Sequence, residues 1–295
     1  MKSVESSFES DEVRCAGTLL LPDNAERPPV IVMAHGFGLP RTAGLLPFAE
    51  RFVGAGYAVY LFDYRGFGDS DGEPRQWVSP RRHLEDWKAA LAHVRSLPQV
   101  DGRRLVLWGT SFSGGHVLET AAADSGVAAV IAQVPHVSGI ATLWQVPVLS
   151  SLRLGLAGVR DLLGGWFDRP KYSPIVGHPG EVAAMSSPEA WGGYTRLLPE
   201  GAPWENKTRA RVFLELASYS PIRHASKITA PTLVIAGRND SVTPASAARA
   251  AASRIPLARF KLLDCNHFQV YVGDTFEKNV QLQLDFLKDV VPLQR

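Results

Sequence analysis

The chain has 295 residues, 45% of them hydrophobic, enough to bury one large core and leave material for an appended cap. Its 31 Lys and Arg against 29 Asp and Glu give a formal net charge of +2, too balanced for the counterion release that drives nucleic-acid binding. Cys15 and Cys265, the only cysteines, form no metal-ligand spacing, the first 14 residues lack a basic start and an apolar leader run, and no stretch reaches the roughly 18 apolar residues of a membrane span. A cytoplasmic protein with no metal, nucleic-acid or membrane partner is expected.

Short β-branched runs alternate with helical patterns, which predicts an α/β fold with a mostly parallel central sheet. Residues 12–21 look like an antiparallel opening pair, and Pro29 to Ala34 (PVIVMA) is a buried strand ending at His35-Gly36. A helix over roughly 42–54 precedes the strand YAVYLFD (57–63), and residues 78–96 form a helix that opens at Ser-Pro and spaces Leu84, Trp87, Leu91 and Val94 along one face. The strand RLVLW (104–108) runs into GTSFSGG, a helix over about 114–123 leaves it, and 127–134 is another strand. The beat then stops: residues 136–221 read as an inserted, mainly helical cap between core segments 1–135 and 222–295. After the insert come a strand at 231–236, a helix at 244–254, a strand at 260–263 and a closing helix at 275–290.

Ser111 sits in Gly109-Thr110-Ser111-Phe112-Ser113-Gly114-Gly115, where a buried strand stops and a helix starts. A serine hydroxyl is a poor nucleophile, so it must be presented on a tight turn within reach of a base, with small residues two places before and after it. Gly109 and Ser113 fill those places, although Ser113 departs from the G-x-S-x-G pattern. The bland alternatives are a helix N-cap and a nucleophile at Ser113. Asp240 ends the strand segment PTLVIAGRND, and His267 follows the next strand in LLDCNHF, giving the chain order Ser, Asp, His. His267 would take the Ser111 proton and Asp240 would orient the imidazole, with Asp264 the competing acid. His35-Gly36-Phe37-Gly38 after the first parallel strand offers the backbone N–H of Phe37, to pair with that of Phe112 as an oxyanion hole. The glycine-rich segment Asp63 to Ser70 lacks the lysine and spacing of a phosphate loop and reads as structural.

With these motifs in this order, the chain resembles the α/β-hydrolase superfamily over nearly its whole length. FDYRGFGDSDGEPRQ and LWGTSFSGGHVL are similar to a branch of dienelactone-hydrolase-like and acetyl-esterase-like proteins that includes polyketide-pathway transferases and hydrolases. The resemblance implies cofactor-free cleavage of a small-molecule ester, thioester or lactone through an acyl-Ser111 intermediate. The cap gathers Trp144, Trp166, Phe167, Trp191, Tyr194, Trp204, Phe213 and Tyr219, which predicts a medium-sized apolar or aromatic substrate. His35, Gly36, Trp144 and Trp191 are the expected substrate contacts, and a homodimer is admitted. Two other readings compete: acyl or polyketide transfer from the same acyl-enzyme, and a non-catalytic ligand-binding protein on the same scaffold.

Overall fold

The computed structural model describes residues 1–23, 25–165, 169–202 and 204–293. The first strands are β1 (Lys2–Glu5), β2 (Phe8–Ser10), β3 (Val13–Cys15) and β4 (Gly17–Leu21). Alternating elements follow: β5 (Pro29–Ala34), α1 (Leu46–Gly54), β6 (Ala58–Phe62), α2 (Pro80–Ser96), β7 (Asp101–Thr110), α3 (Phe112–Ala123) and β8 (Ala129–Gln133). Residues 136–221 hold α4 (Gly139–Leu143), α5 (Val148–Gly164), β9 (Tyr172–Ser173), α6 (Ala190–Thr195), β10 (Thr208–Arg209) and α7 (Val212–Leu216). The core resumes with β11 (Thr232–Gly237), α8 (Ala245–Ala252), β12 (Ala258–Leu263) and α9 (Gly273–Val290).

Eight strands form one sheet in the order β1-β4-β6-β5-β7-β8-β11-β12. The six from β6 to β12 run parallel, while β4 pairs antiparallel with both β1 and β6. Every residue of β5, β6, β8 and β11 is buried, as expected of parallel strands covered on both faces. Successive side chains of β7 show the two coverings. Trp108 packs on Phe48 of α1 and donates Nε1–H to Gln283 of α9 at 2.7 Å, whereas Gly109 faces α3, where a Cβ would lie 2.2 Å from the Ser113 carbonyl oxygen. Helix α2 joins α3 on the second face, its Trp87 and Val94 fully buried.

From β5 onward the predicted strands and helices of the core match the observed ones to within a few residues, but residues 12–21 are not an antiparallel pair: β3 pairs with β2 in a separate ribbon, and β4 pairs with β1 and β6 in the main sheet. Within residues 136–221, β9 and β10 form a two-stranded antiparallel pair where the sequence shows no strand pattern. Two residues per strand are too few for a period-2 signal to register. No helix among the described residues is long and apolar enough to cross a membrane.

Chain order explains where a site must form. After β5 the chain steps to β6 on one side, and β7 then lies on the other side of β5. The loops leaving β5 and β7 therefore diverge at the carboxyl edge of the sheet, the place where open α/β sheets leave a crevice.

Candidate active site

Three segments converge at that crevice. Ser111 follows β7 at φ 56° and ψ −118°, a conformation that L-residues seldom adopt, and α3 starts at the next residue. The strained turn is held from both sides: Ser111 N–H donates to the Gln133 carbonyl at 2.9 Å, and His136 N–H donates to the Ser111 carbonyl at 2.8 Å. Gly109 is required because the first turn of α3 comes back over it. Gly36 also leaves room, since a Cβ there would lie 3.2 Å from that of Ser111, closer than ordinary van der Waals contact.

His267 Nε2 lies 3.0 Å from Ser111 Oγ, and its Nδ1 lies 2.7 Å from Asp240 Oδ2. A carboxylate only accepts, so Nδ1 carries the proton toward Asp240 and Nε2 is left as the acceptor for the serine hydroxyl. Asp240 is itself fixed. Its Oδ1 accepts the backbone N–H groups of Val242 at 2.8 Å and Thr243 at 2.7 Å. The Thr243 hydroxyl lies 2.9 Å from both Asp240 Oδ2 and the Val134 carbonyl, and 3.2 Å from His267 Nδ1. With one proton to give, it serves either the acid or the carbonyl just past β8, a role that a threonine three residues beyond an aspartate does not advertise in sequence. All three triad side chains are buried or nearly so.

Asp264, the competing acid, has a side chain 82% exposed and lies near Arg238, away from His267. Ser113 is fully buried, and its Oγ accepts the Tyr64 hydroxyl at 2.9 Å, which in turn accepts Trp87 Nε1–H at 3.0 Å. The departure from G-x-S-x-G thus adds a hydroxyl with a partner waiting for it.

The Phe37 and Phe112 rings meet edge to face, 5.3 Å apart, beside Ser111. Phe112 opens α3, so its backbone N–H has no intrahelical acceptor and stands at the positive end of the helix dipole. The Phe37 N–H has no backbone acceptor among the described residues. The insert secures this loop: Tyr194 donates its hydroxyl to the Phe37 carbonyl at 2.8 Å, and Trp204 Nε1–H donates to the Gly38 carbonyl at 2.9 Å. The glycine-rich segment after β6 secures it from below. Buried Asp63 accepts Arg41 N–H at 2.6 Å and pairs with the Arg41 guanidinium, and removing one member of such a buried pair costs about 3–5 kcal/mol.

Ser111 opens into an inner cavity of about 50 Å³, walled by Phe37, Phe112, Met185, Leu216 and Val242, with His136 as a polar member of the wall. Burial pushes the His136 imidazole down to about 4, with the Tyr219 carbonyl opposing, so it faces the cavity uncharged at neutral pH. Thr142, Ala184, Met185 and Val242 also line an outer groove of about 320 Å³, whose far side carries Gln145, Ser150 and Ser187.

The expected substrate contacts fare differently. The His35 side chain is fully buried against Tyr64 and Phe67, with Nδ1 at 3.0 Å from the Gly36 carbonyl, so it faces the core and not the cavity. Gly36 does lie against Ser111. Trp144 is 83% exposed and lines neither cavity nor groove: Thr142 faces inward, and two residues further along the helical turn the chain has rotated about 200°. Trp191 also stands outside, stacked on His178 at 4.7 Å, because α6 turns Ala190 and Tyr194 inward. Of the remaining insert aromatics, Tyr219 is buried against His136 and accepts or donates at His116 Nδ1 over 2.6 Å, and Phe213 packs at the edge of the core. Trp166 and Phe167 lie outside the described residues.

The chain is similar to known proteins over nearly its whole length. The chain is 42% identical over 292 residues to the quorum-quenching protein AidA of Acinetobacter baumannii, covering 99% of this chain and 96% of that one. It is 28% identical over 298 residues to the thiohydrolase aneE of Aspergillus aculeatus, covering 95% and 91% of the two chains. The crystal structure of the α/β-hydrolase GrgF from Penicillium superposes with a TM-score of 0.80 at 26% identity, covering 98% of this chain and 99% of that one. Residues 25–268 match the Hydrolase_4 description, serine aminopeptidase S33, and the chain belongs to that family of α/β-hydrolases.

Proposed function

We propose that the protein is a serine hydrolase that cleaves a carboxylic ester, thioester or lactone through an acyl-Ser111 intermediate. The observation that carries this reading is the unbroken relay from Ser111 Oγ to His267 at 3.0 Å and from His267 to Asp240 at 2.7 Å. His267 Nε2 takes the hydroxyl proton as Oγ attacks the acyl carbon, and the imidazolium then gives that proton to the leaving oxygen or sulfur. The backbone N–H groups of Phe37 and Phe112 receive the oxyanion, a contribution of about 3–4 kcal/mol per donor in comparable sites. Water, activated by the same histidine, releases the acid. No step calls for a cofactor.

The inner cavity of about 50 Å³ is far below the ~300 Å³ or more of a ligand pocket, whereas the outer groove of about 320 Å³ reaches it. A medium-sized substrate therefore keeps only the atoms next to the scissile bond in the cavity and lays its bulk along the groove. Acyl transfer is the second reading, favoured by relatives that are polyketide transferases, such as grgF of Penicillium at 28% identity over 269 residues.

A panel of p-nitrophenyl esters and matching thioesters, run with and without an alcohol or thiol acceptor, tests the proposal. Turnover to free acid is expected, falling about 10⁴-fold or more in Ser111→Ala. Acetate turned over much faster than every longer or aromatic acyl chain would remove the medium-sized apolar assignment. Product appearing only as the transferred ester would move the protein to the second reading.

A further inference from the structure

We propose that helix α5 of the insert docks on an anionic lipid surface. The inference stands on the helix's outer face and does not depend on the ester chemistry. Leu154, Gly158 and Asp161 of α5 are buried against the rest of the insert. At about 100° per residue, Leu149, Leu152, Leu156, Val159 and Leu163 fall in one stripe on the opposite side. Each of these five is between 42% and 66% exposed, and Trp144, just before the helix, is 83% exposed. A continuous outward-facing leucine stripe is not what a water-facing helix carries.

Charge identifies the occupant. Between residues 139 and 165 the charged side chains are Arg153, Arg160 and Asp161. Asp161 is fully buried and spent on Arg209 and Arg211, while Arg153 and Arg160 are exposed on one flank of the stripe. The outer side of the helix is therefore apolar with a purely cationic edge, the pattern of a helix lying in a lipid interface with its arginines at the headgroups. The exposed tryptophan beside it fits the same boundary. A second copy of the chain fits less well. Pairing α5 with itself antiparallel about its middle sets Arg153 against Arg160, and a parallel pairing sets each arginine against its twin, with no exposed acid on the helix to answer either.

The expectation of no membrane partner rested on the lack of a spanning segment, which does not bear on a helix that lies flat. Pro147 and Ser150, at the start of α5, also line the outer groove. On the reading of that groove as the substrate channel, docking would bring its rim to the lipid and favour substrates that partition there.

The test is co-sedimentation of the full-length protein with vesicles of phosphatidylcholine containing about 30% phosphatidylglycerol, against vesicles of phosphatidylcholine alone. The wild type should pellet with the anionic vesicles, less with the neutral ones, and less again at high salt. Leu152→Glu/Leu156→Glu should lower the bound fraction about tenfold, and Arg153→Glu/Arg160→Glu should abolish the anionic preference. Both variants change exposed side chains, so an unaltered thermal melt and unaltered turnover of a small water-soluble ester verify that they are folded. Wild type that stays in the supernatant overturns the proposal, as does pelleting that the leucine changes leave intact. Wild type that elutes as a dimer and becomes monomeric in the leucine variant also overturns it, by giving the stripe to a second copy.

Discussion

At the scale of single residues, the backbone of Ser111 is held in place by its neighbours. Ser111 occupies a strained backbone conformation because Gln133 and His136 grip its N–H and carbonyl, and because Gly36 and Gly109 leave it room. Its partner acid depends in the same way on Thr243, whose hydroxyl meets Asp240 Oδ2, the Val134 carbonyl and the edge of His267. Thr243→Val keeps the shape and removes the hydroxyl, and with it the one hydrogen bond it can donate to Asp240 or to the Val134 carbonyl. Loss of a bond to a charged group is worth about 1.5–3 kcal/mol, so kcat should fall roughly tenfold or more with KM little changed, and Thr243→Ser should restore it. A Thr243→Val enzyme with wild-type kcat would show that Asp240 needs no support beyond its two backbone donors.

At the scale of elements, the sequence was most legible where one local rule acted. PVIVMA and PTLVIA are continuous apolar runs bounded by turn residues, and both are strands buried on both faces. The strand-to-helix junction at Ser111 and the positions of Asp240 and His267 after the next strands could be read from order alone. What stayed hidden depends on contacts between distant segments. Tyr194 and Trp204 were visible only as aromatics of the insert, yet their partners are Phe37 and Gly38, 157 and 166 residues away. Beneath the elbow, Gln133, Asn279 and Gln283 join Trp108 and Thr110 in one buried hydrogen-bonded network, which no spacing rule connects. Trp144 and Trp191 were misplaced as substrate contacts because composition counts aromatics without saying which side of a short helix they take.

At the scale of the whole molecule, the ground behind the site is unusually rich in buried histidine. Burial lowers His136 to about 4 and His35 to about 3, and lowers His83 and His116 well below 6.5, with neighbouring imidazoles adding to the effect on the last two. These groups are neutral in the folded protein but titrate near 6.5 in the unfolded chain, so the unfolded state binds more protons as pH falls. Their contribution is undiminished above about pH 6.5 and is lost progressively as pH drops toward 4, by about 3 kcal/mol for His136 alone. Asp63 and Asp86 act in the opposite sense, since burial raises them against the pull of Arg41 and Arg65. Four fully buried histidines outweigh the raised carboxyls of Asp63, Asp86 and Glu215, and urea unfolding should show stability level above about pH 6.5 and declining steadily from there to pH 5. A flat profile over that range would mean that the imidazoles gain protons in the folded state.

The proposed chemistry turns on the hydroxyl at position 111, and covalent trapping reads it most directly. After reaction with a fluorophosphonate probe, peptide mass mapping should place a single adduct on Ser111. That adduct should be absent from Ser111→Ala and largely retained in Ser113→Ala, where only the contact with Tyr64 is lost. An adduct on Ser113, or a Ser111→Ala protein that still labels at the wild-type rate, would contradict the assignment.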